Sequence, residues 1–299
     1  MTDNFNGWLN IYKNKGCTSL SISRSLKKKF KIKKLGHLGT LDPLAEGVLP
    51  IAIGEATKAI KFISNHKKRY SFVIKWGEET DTCDSEGEII NRSKRRPSFE
   101  DIKYIISEFF VGEISQTPPV FSAVKVGGKR AYDLARKKIE IKLKKKQINI
   151  FSLEAKELTN ENFCKFDLIC SQGTYVRSLA RDIAYKLGTV GFAYEIIRTE
   201  DNIFKTKNSI PLESILKFNC KKILQKLMPI ECVLDKIKII NLEKKYSDML
   251  KNGMVIKLKF INDEKNNENK LVLVKNNSKL VCIANLEKEY IIPRRNFNL

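Results

Sequence analysis

Histidine is nearly absent: His37 and His66 are the only two in 299 residues, and the seven cysteines form no C-x-x-C pair. Zinc-site spacing is therefore missing, and Cys–His catalysis has little to work with. An odd cysteine count also argues against a closed disulfide framework. Cys164 and Cys170 fall on one face of an alternating run, which suits buried thiols in a reducing compartment. Glycine and proline total only 15 and 8, too few for a collagen-like chain, and 42% hydrophobic residues are too many for a wholly disordered one. No apolar run is long enough to span a bilayer; Gly47 to Gly54 is among the longest. The stretch from Met1 to Gly16 contains no apolar signal-peptide core. These absences lead to the expectation of a soluble, cytoplasmic protein without membrane or metal, of one large domain or two unequal ones.

Acidic residues are the other scarcity, with 34 Asp and Glu against 56 Lys and Arg and a net charge of +22. Two readings fit: a Lys-rich coding bias, or a polyanionic partner whose phosphates reward basic side chains. Clustering favours the partner. Between Arg24 and Lys34, 7 of 11 residues are basic and none is acidic. From Pro118 to Lys146, ten basic residues face Asp133 and Glu140, a local +8.

Along the chain, Thr18 or Ser19 caps a helix carrying Ile22, Leu26 and Phe30, with Lys27, Lys28 and Lys31 on its other faces. Gly36 to Thr57 mixes glycine, proline and small apolar residues and reads as a compact, shaped loop. Arg69 to Trp76 alternates, with Tyr70, Phe72, Ile74 and Trp76 on one face of a strand. The acidic run Glu78, Glu79, Asp81, Asp84 and Glu86 reads as a solvated turn. Ser98 and Asp101 suggest a capping box before the helix of Ile102, Ile105, Ile106 and Phe109. Tyr132 to Lys138 is helix-like, and Ile139 to Lys145 alternates like a basic strand. Cys164, Phe166, Leu168 and Cys170 mark another strand. A helix on Val176, Leu179, Ala180, Ile183 and Leu187 follows, closed by Gly188, with Arg177 and Arg181 on one face. After Lys236, Met254, Ile256, Leu258 and Phe260 alternate around a polar loop from Asn262 to Lys270. Further short apolar runs at Leu271–Val274, Leu280–Ala284 and Tyr290–Ile292 predict a small β-barrel.

Chemistry is left to carboxylates, hydroxyls and basic groups. Gly39-Thr40-Leu41-Asp42-Pro43 stands out, because Asp-Pro biases the backbone toward a turn and the glycine permits close approach. Turn capping alone would also explain Asp42.

The blocks around it carry a resemblance. Gly36 to Pro50 with Gly54-Glu55-Ala56-Thr57-Lys58, Gly77 to Gly87, Gln116 to Lys125 with Gly128 to Tyr132, and Gly173 to Leu179 occur in order across much of the chain. Together they resemble TruB-type tRNA pseudouridine synthases. The resemblance implies an α+β fold. Its catalytic domain would cover residues 1–236 on a mixed, mainly antiparallel sheet, with residues 118–146 as a mobile basic thumb. A PUA-like RNA-binding domain would fill 237–299. It implies isomerisation of uridine 55 in the T-loop of tRNA to pseudouridine, without cofactor or metal, by a monomer needing no protein partner. Asp42 matches the catalytic aspartate, Arg177 its arginine partner and Tyr70 the tyrosine against the base. The catalytic carboxylate could act at C1′ or C6, or through a glycal route. Tyr70 could also help remove the C5 proton. Ile196 matches the apolar residue on the base's other side, and His37 a histidine filling space vacated by the flipped nucleotide. Lys58 would bind phosphate or brace its loop, while Tyr175, Lys125, Lys129 and Arg130 would contact substrate. Three positions depart from the family pattern: Asn14 replaces a proline, Ile197 an arginine and Asn202 a glycine. A tRNA-folding chaperone, and a relative acting on guide-RNA particles or ribosomal RNA, are the rival functions.

Overall fold

The computed structural model of the chain describes residues 5–63, 66–258 and 270–299. A mixed sheet forms the body, in the order Ile210–Pro211, Gly7–Lys13, Glu46–Ile53, Gly191–Asp201, Lys67–Trp76, Phe163–Ser171, Lys146–Asn160 and Gly112–Gln116. Two of those neighbouring pairs are parallel and the rest antiparallel. The expected alternation is present: Lys68, Tyr70, Phe72, Ile74 and Trp76 are buried on one face of their strand. Their partners across the ladder, Leu168, Phe166 and Cys164, are buried too. Phe72 stacks on Phe166 with centroids 5.1 Å apart, a directly opposed pair of the kind that fixes sheet register. Cys164 and Cys170 are free and buried; burial raises their thiol pKa values to about 12 and about 11.

Helices cover this sheet. Ser19–Phe30 starts at Thr18, whose side chain and that of Ser21 form a reciprocal capping box. Phe99–Phe109 starts at Ser98, but only half of the expected box forms, with Ser98 accepting from the Asp101 N–H. Val176–Lys186 ends against Gly188, whose φ of +70° suits glycine after a helix.

Two expectations are corrected. Gly36 to Thr57 is not one loop, because Glu46–Ile53 is a central strand, seven of its eight residues buried. A strand covered on both faces shows continuous apolar residues rather than alternation, which disguises it. Gly47 takes φ +106° there, where a Cβ would lie 2.2 Å from the Arg198 carbonyl oxygen. Ile139 to Lys145 alternates in sequence but forms no strand. The helix Ala131–Arg136 runs into irregular backbone until Lys146, and Ile139 is exposed. The C-terminal strands form an open, curled sheet among the described residues, in the order Lys238–Asn241, Lys270–Asn276, Lys279–Glu287, Tyr290–Asn296 and Ile256–Lys257. Phe260 and positions 262–269 of the expected loop lie outside the described residues. Helix Lys244–Lys251, with Leu250 fully buried, packs on this sheet and was not anticipated.

The second sheet shares a core with the body: Leu273, Leu280, Ile283 and Phe297 cluster with Trp8, Val48, Ala52, Ala56 and Ala59. Lys58 belongs to this junction, pairing with Glu55 and donating to the Asn296 carbonyl at 2.9 Å. Glu55 in turn accepts the Asn298 N–H at 2.7 Å. Phe297→Ala should therefore lower unfolding free energy by about 3–5 kcal/mol, read from urea denaturation of the whole chain. A loss below about 1 kcal/mol would show that the junction carries little stability.

Candidate active site

A cavity of about 290 Å³ opens beside the loop that joins the short strand Leu35–His37 to Glu46–Ile53. Asp42 lines it, with Tyr70, Ile196, Tyr175 and Arg177. Ser19 pins the loop from the start of its helix, accepting the Leu41 N–H at 3.0 Å and donating to the Leu41 carbonyl at 3.1 Å. Lys13, fully buried, donates to the carbonyls of Pro43, Ala45 and Asn14. Asn14 also donates to Glu213, so a side-chain contact occupies the position where proline was expected.

Arg177 reaches Asp42 from the first turn of its helix, Nε to Oδ2 at 2.8 Å. Its side chain is only 5% exposed, against 39% for Asp42. Gln116 aligns that helix start, accepting the Tyr175 N–H at 2.8 Å and donating to the Tyr175 carbonyl at 3.1 Å. The rest of the guanidinium is used as well. Nη1 donates to the Thr82 carbonyl at 3.1 Å, and Nη2 to the Phe121 carbonyl at 3.1 Å. Nη1 also lies 3.3 Å from Asp84 Oδ2.

Asp84 is the residue that sequence reasoning missed. Its acidic neighbours suggested a solvated turn, yet Asp84 and Glu79 are buried, and Tyr185 donates to Glu79. Thr82 Oγ1 and the Glu86 N–H both donate to Asp84 Oδ1, at 2.6 and 3.0 Å. Burial nonetheless raises the Asp84 pKa above its ordinary value. The threonine two residues earlier was the available signal.

Tyr70 and Ile196 sit on neighbouring strands, Tyr70 directly opposite Arg198 and Ile196 opposite Phe72, and both line the cavity. Burial pushes the Tyr70 phenol far above the usual tyrosine range. That environment suits a neutral ring packed against a base. His37 does not line the cavity; it bonds Thr40, which does, at 3.1 Å. Lys58 is also outside it, in the junction described above. Lys125, Lys129 and Arg130 form an exposed two-stranded hairpin, while Ser122 and Ala123 carry the same segment to the cavity wall. Arg181 turns away from Asp42 to pair with Asp182 at 2.7 Å. Asn202 adopts φ +57°, a left-handed turn that asparagine tolerates where glycine was expected. Ile197 is half-buried, opposite Ser71.

The TruB family pseudouridylate synthase (N terminal domain) model matches residues 27–176. The tRNA pseudouridine synthase B of Clostridium tetani (strain Massachusetts / E88) is 39% identical over 284 residues, covering 95% of this chain and 96% of its own. That of Ehrlichia ruminantium (strain Gardel) is 39% identical over 299 residues, covering 98% and 99%. The solved structure of an H/ACA RNP bound to a substrate RNA containing 2′-deoxyuridine superposes with a TM-score of 0.72 at 18% identity, covering 98% of this chain and 85% of that one. That last likeness speaks to the fold alone. Matched family model and relatives place this chain among the pseudouridine synthases. The chain belongs to the TruB family of these isomerases.

Two outcomes follow. Asp84→Asn should reduce single-turnover rate by roughly 10²-fold, because a displaced guanidinium misplaces Asp42, and should leave RNA affinity unchanged; equal rates would remove Asp84 from the site. Burial lowers the Lys13 pKa to about 8, so the folded chain sheds that proton before the unfolded one. Between about pH 8 and 10 the unfolded chain then binds more protons, and this group's contribution to stability rises with pH. The stability of the native chain relative to Lys13→Met, from urea denaturation, should grow over that window; a constant or shrinking difference would contradict it.

Proposed function

We propose that the chain isomerises uridine 55 in the T-loop of tRNA to pseudouridine. The relatives' shared name, tRNA pseudouridine synthase B, supports a tRNA substrate, and the net charge of +22 suits a polyanionic one. The observation that carries the reading is the Asp42–Arg177 ion pair at 2.8 Å, in a cavity walled by Tyr70 and Ile196.

A stacked uridine hides its reacting atoms, so the nucleotide leaves its stack at a cost on the order of a few kcal/mol, least in an irregular loop. Tyr70 and Ile196 offset that cost by packing on the two faces of the base. Asp42 then engages C1′ or C6, or moves a proton on a glycal route. The C1′–N1 bond breaks, the base turns, C5 joins C1′, and the proton on C5 is lost as N1 gains one. The net change is an isomerisation, so no external oxidant, reductant or group donor is required. Residues 118–146 act as the thumb over the T-arm, with Lys125, Lys129 and Arg130 on its phosphates. Residues 237–299 serve as a PUA-like RNA-binding module of a cytoplasmic monomer. In this assignment Lys58 braces the junction, and His37 steadies Thr40.

Incubation with an unmodified tRNA transcript, followed by chemical mapping, should place pseudouridine at position 55. Asp42→Asn should cut the rate by at least about 10³-fold while tRNA binding persists. Product at another position, or none from folded native chain, would overturn the assignment; an unimpaired Asp42→Asn would remove the aspartate from the chemistry.

A further inference from the structure

A second buried charge cluster reaches the same cavity. Both carboxylate oxygens of Asp201 lie within ion-pair distance of basic groups. Oδ2 lies 3.1 Å from Lys68 Nζ and 3.2 Å from an Arg198 Nη1, and Oδ1 lies 2.8 Å from His66 Nε2. The Asp201 and Arg198 side chains have no exposed surface. Arg198 also donates to the Val48 carbonyl at 2.8 Å and to the Gly39 carbonyl, in the Asp42 loop, at 3.0 Å.

Local geometry builds this cluster. Strict alternation would put residues 198 and 200 on one face, but the ladder slips between Arg198 and Glu200. That bulge turns Asp201 to the face of Arg198 and opposite Lys68. Gly39, at φ +69°, leaves room for the ammonium: a Cβ there would lie 2.3 Å from Lys68 Nζ and 3.0 Å from Arg198 Nη1.

The two clusters carry opposite signs. Around Arg177 two carboxylates, Asp42 and Asp84, share one cation. Glu86 and Lys13, the next charges out, leave that excess negative. Around Asp201 two cations, Lys68 and Arg198, share one carboxylate. Asp42, Arg177 and Lys68 all line the cavity. Breaking C1′–N1 heterolytically leaves the bonding pair on the base, spread over N1, O2 and O4, and electron deficiency at C1′. Such a separation is stabilised by fixed charges aimed where it develops.

We propose that Lys68, positioned by Asp201 and Arg198, stabilises the negative charge on the uracil once its bond to C1′ has broken. It therefore touches the reacting base, while Asp201 and Arg198 are positioning residues. The charge leaves the base when its electron pair forms the C5–C1′ bond, and the later loss of the C5 proton is balanced as N1 gains one. Burial, then Arg198, makes the Lys68 ammonium easier to deprotonate than an ordinary lysine. An anionic base beside it reverses that destabilisation.

The inference rests on the pseudouridylation reading above. Its test uses full-length chain and tRNA carrying either uridine or 5-fluorouridine at the target, because the fluorinated base holds negative charge more readily. With uridine, Lys68→Met should slow single-turnover cleavage of C1′–N1 by about 10²-fold, with tRNA affinity unchanged. With 5-fluorouridine the loss should be clearly smaller, and Lys68→Arg should recover much of the rate on uridine. Equal losses on both substrates, a loss confined to affinity, or no loss would overturn the proposal. Should Lys68→Met fail to fold, Lys68→Gln, which can still donate to Asp201, carries the same comparison. A native chain that makes no pseudouridine sinks the functional reading; native turnover with Lys68 variants at full rate sinks this inference alone.

Discussion

One guanidinium fixes the geometry of the site. Arg177 meets Asp42 and Asp84 and donates to the carbonyls of Thr82 and Phe121, so three chain segments converge on one rigid fork. Lysine offers a point charge on a flexible stem and cannot hold those directions together. The exposures matter here. Asp42 keeps access to the cavity, while the arginine that orients it is almost wholly enclosed. A buried cation of this kind is tolerable only when it is paired, and here Nη1 and Nη2 donate to carbonyls while Nε lies 2.8 Å from Asp42.

The sheet prepares the positions that Arg177 then ties together. Gly47 lets Glu46–Ile53 pass close to the Arg198 backbone, and the adjoining bulge re-aims Asp201. Lys13 and Ser19 hold the Asp42 loop through backbone groups, so they place the carboxylate without touching it. Charged groups are concentrated where the chain can least easily solvate them. That arrangement costs stability in exchange for preorganised electrostatics, a trade expected at a catalytic site.

Legibility from sequence followed burial geometry. Half-buried strands announced themselves: Tyr70 to Trp76 and Cys164 to Cys170 alternate because one face meets the core and the other does not. Glu46–Ile53 did not, since a strand enclosed on both sides loses its period and its Gly and Pro resemble loop residues. Ile139 to Lys145 shows the converse, because alternation without a partner ladder makes no strand. Asp42, Tyr70, Arg177 and Ile196 were legible through motif resemblance, and the fold brings all four to one cavity. Asp84 and Asp201 were hidden for a common reason. Each meets a cation distant in sequence, Arg177 for Asp84 and Lys68 for Asp201, and an acidic residue in a polar run looks like any solvated one.

The most direct measurement is a crystal structure of the Asp42→Asn chain bound to a T-arm RNA. Uridine 55 should be out of its stack, its base between Tyr70 and Ile196 and its C1′ or C6 within about 3.5 Å of the residue-42 carboxamide. A target nucleotide still stacked in the loop, or lodged away from residue 42, would contradict the assignment of this cavity as the catalytic centre.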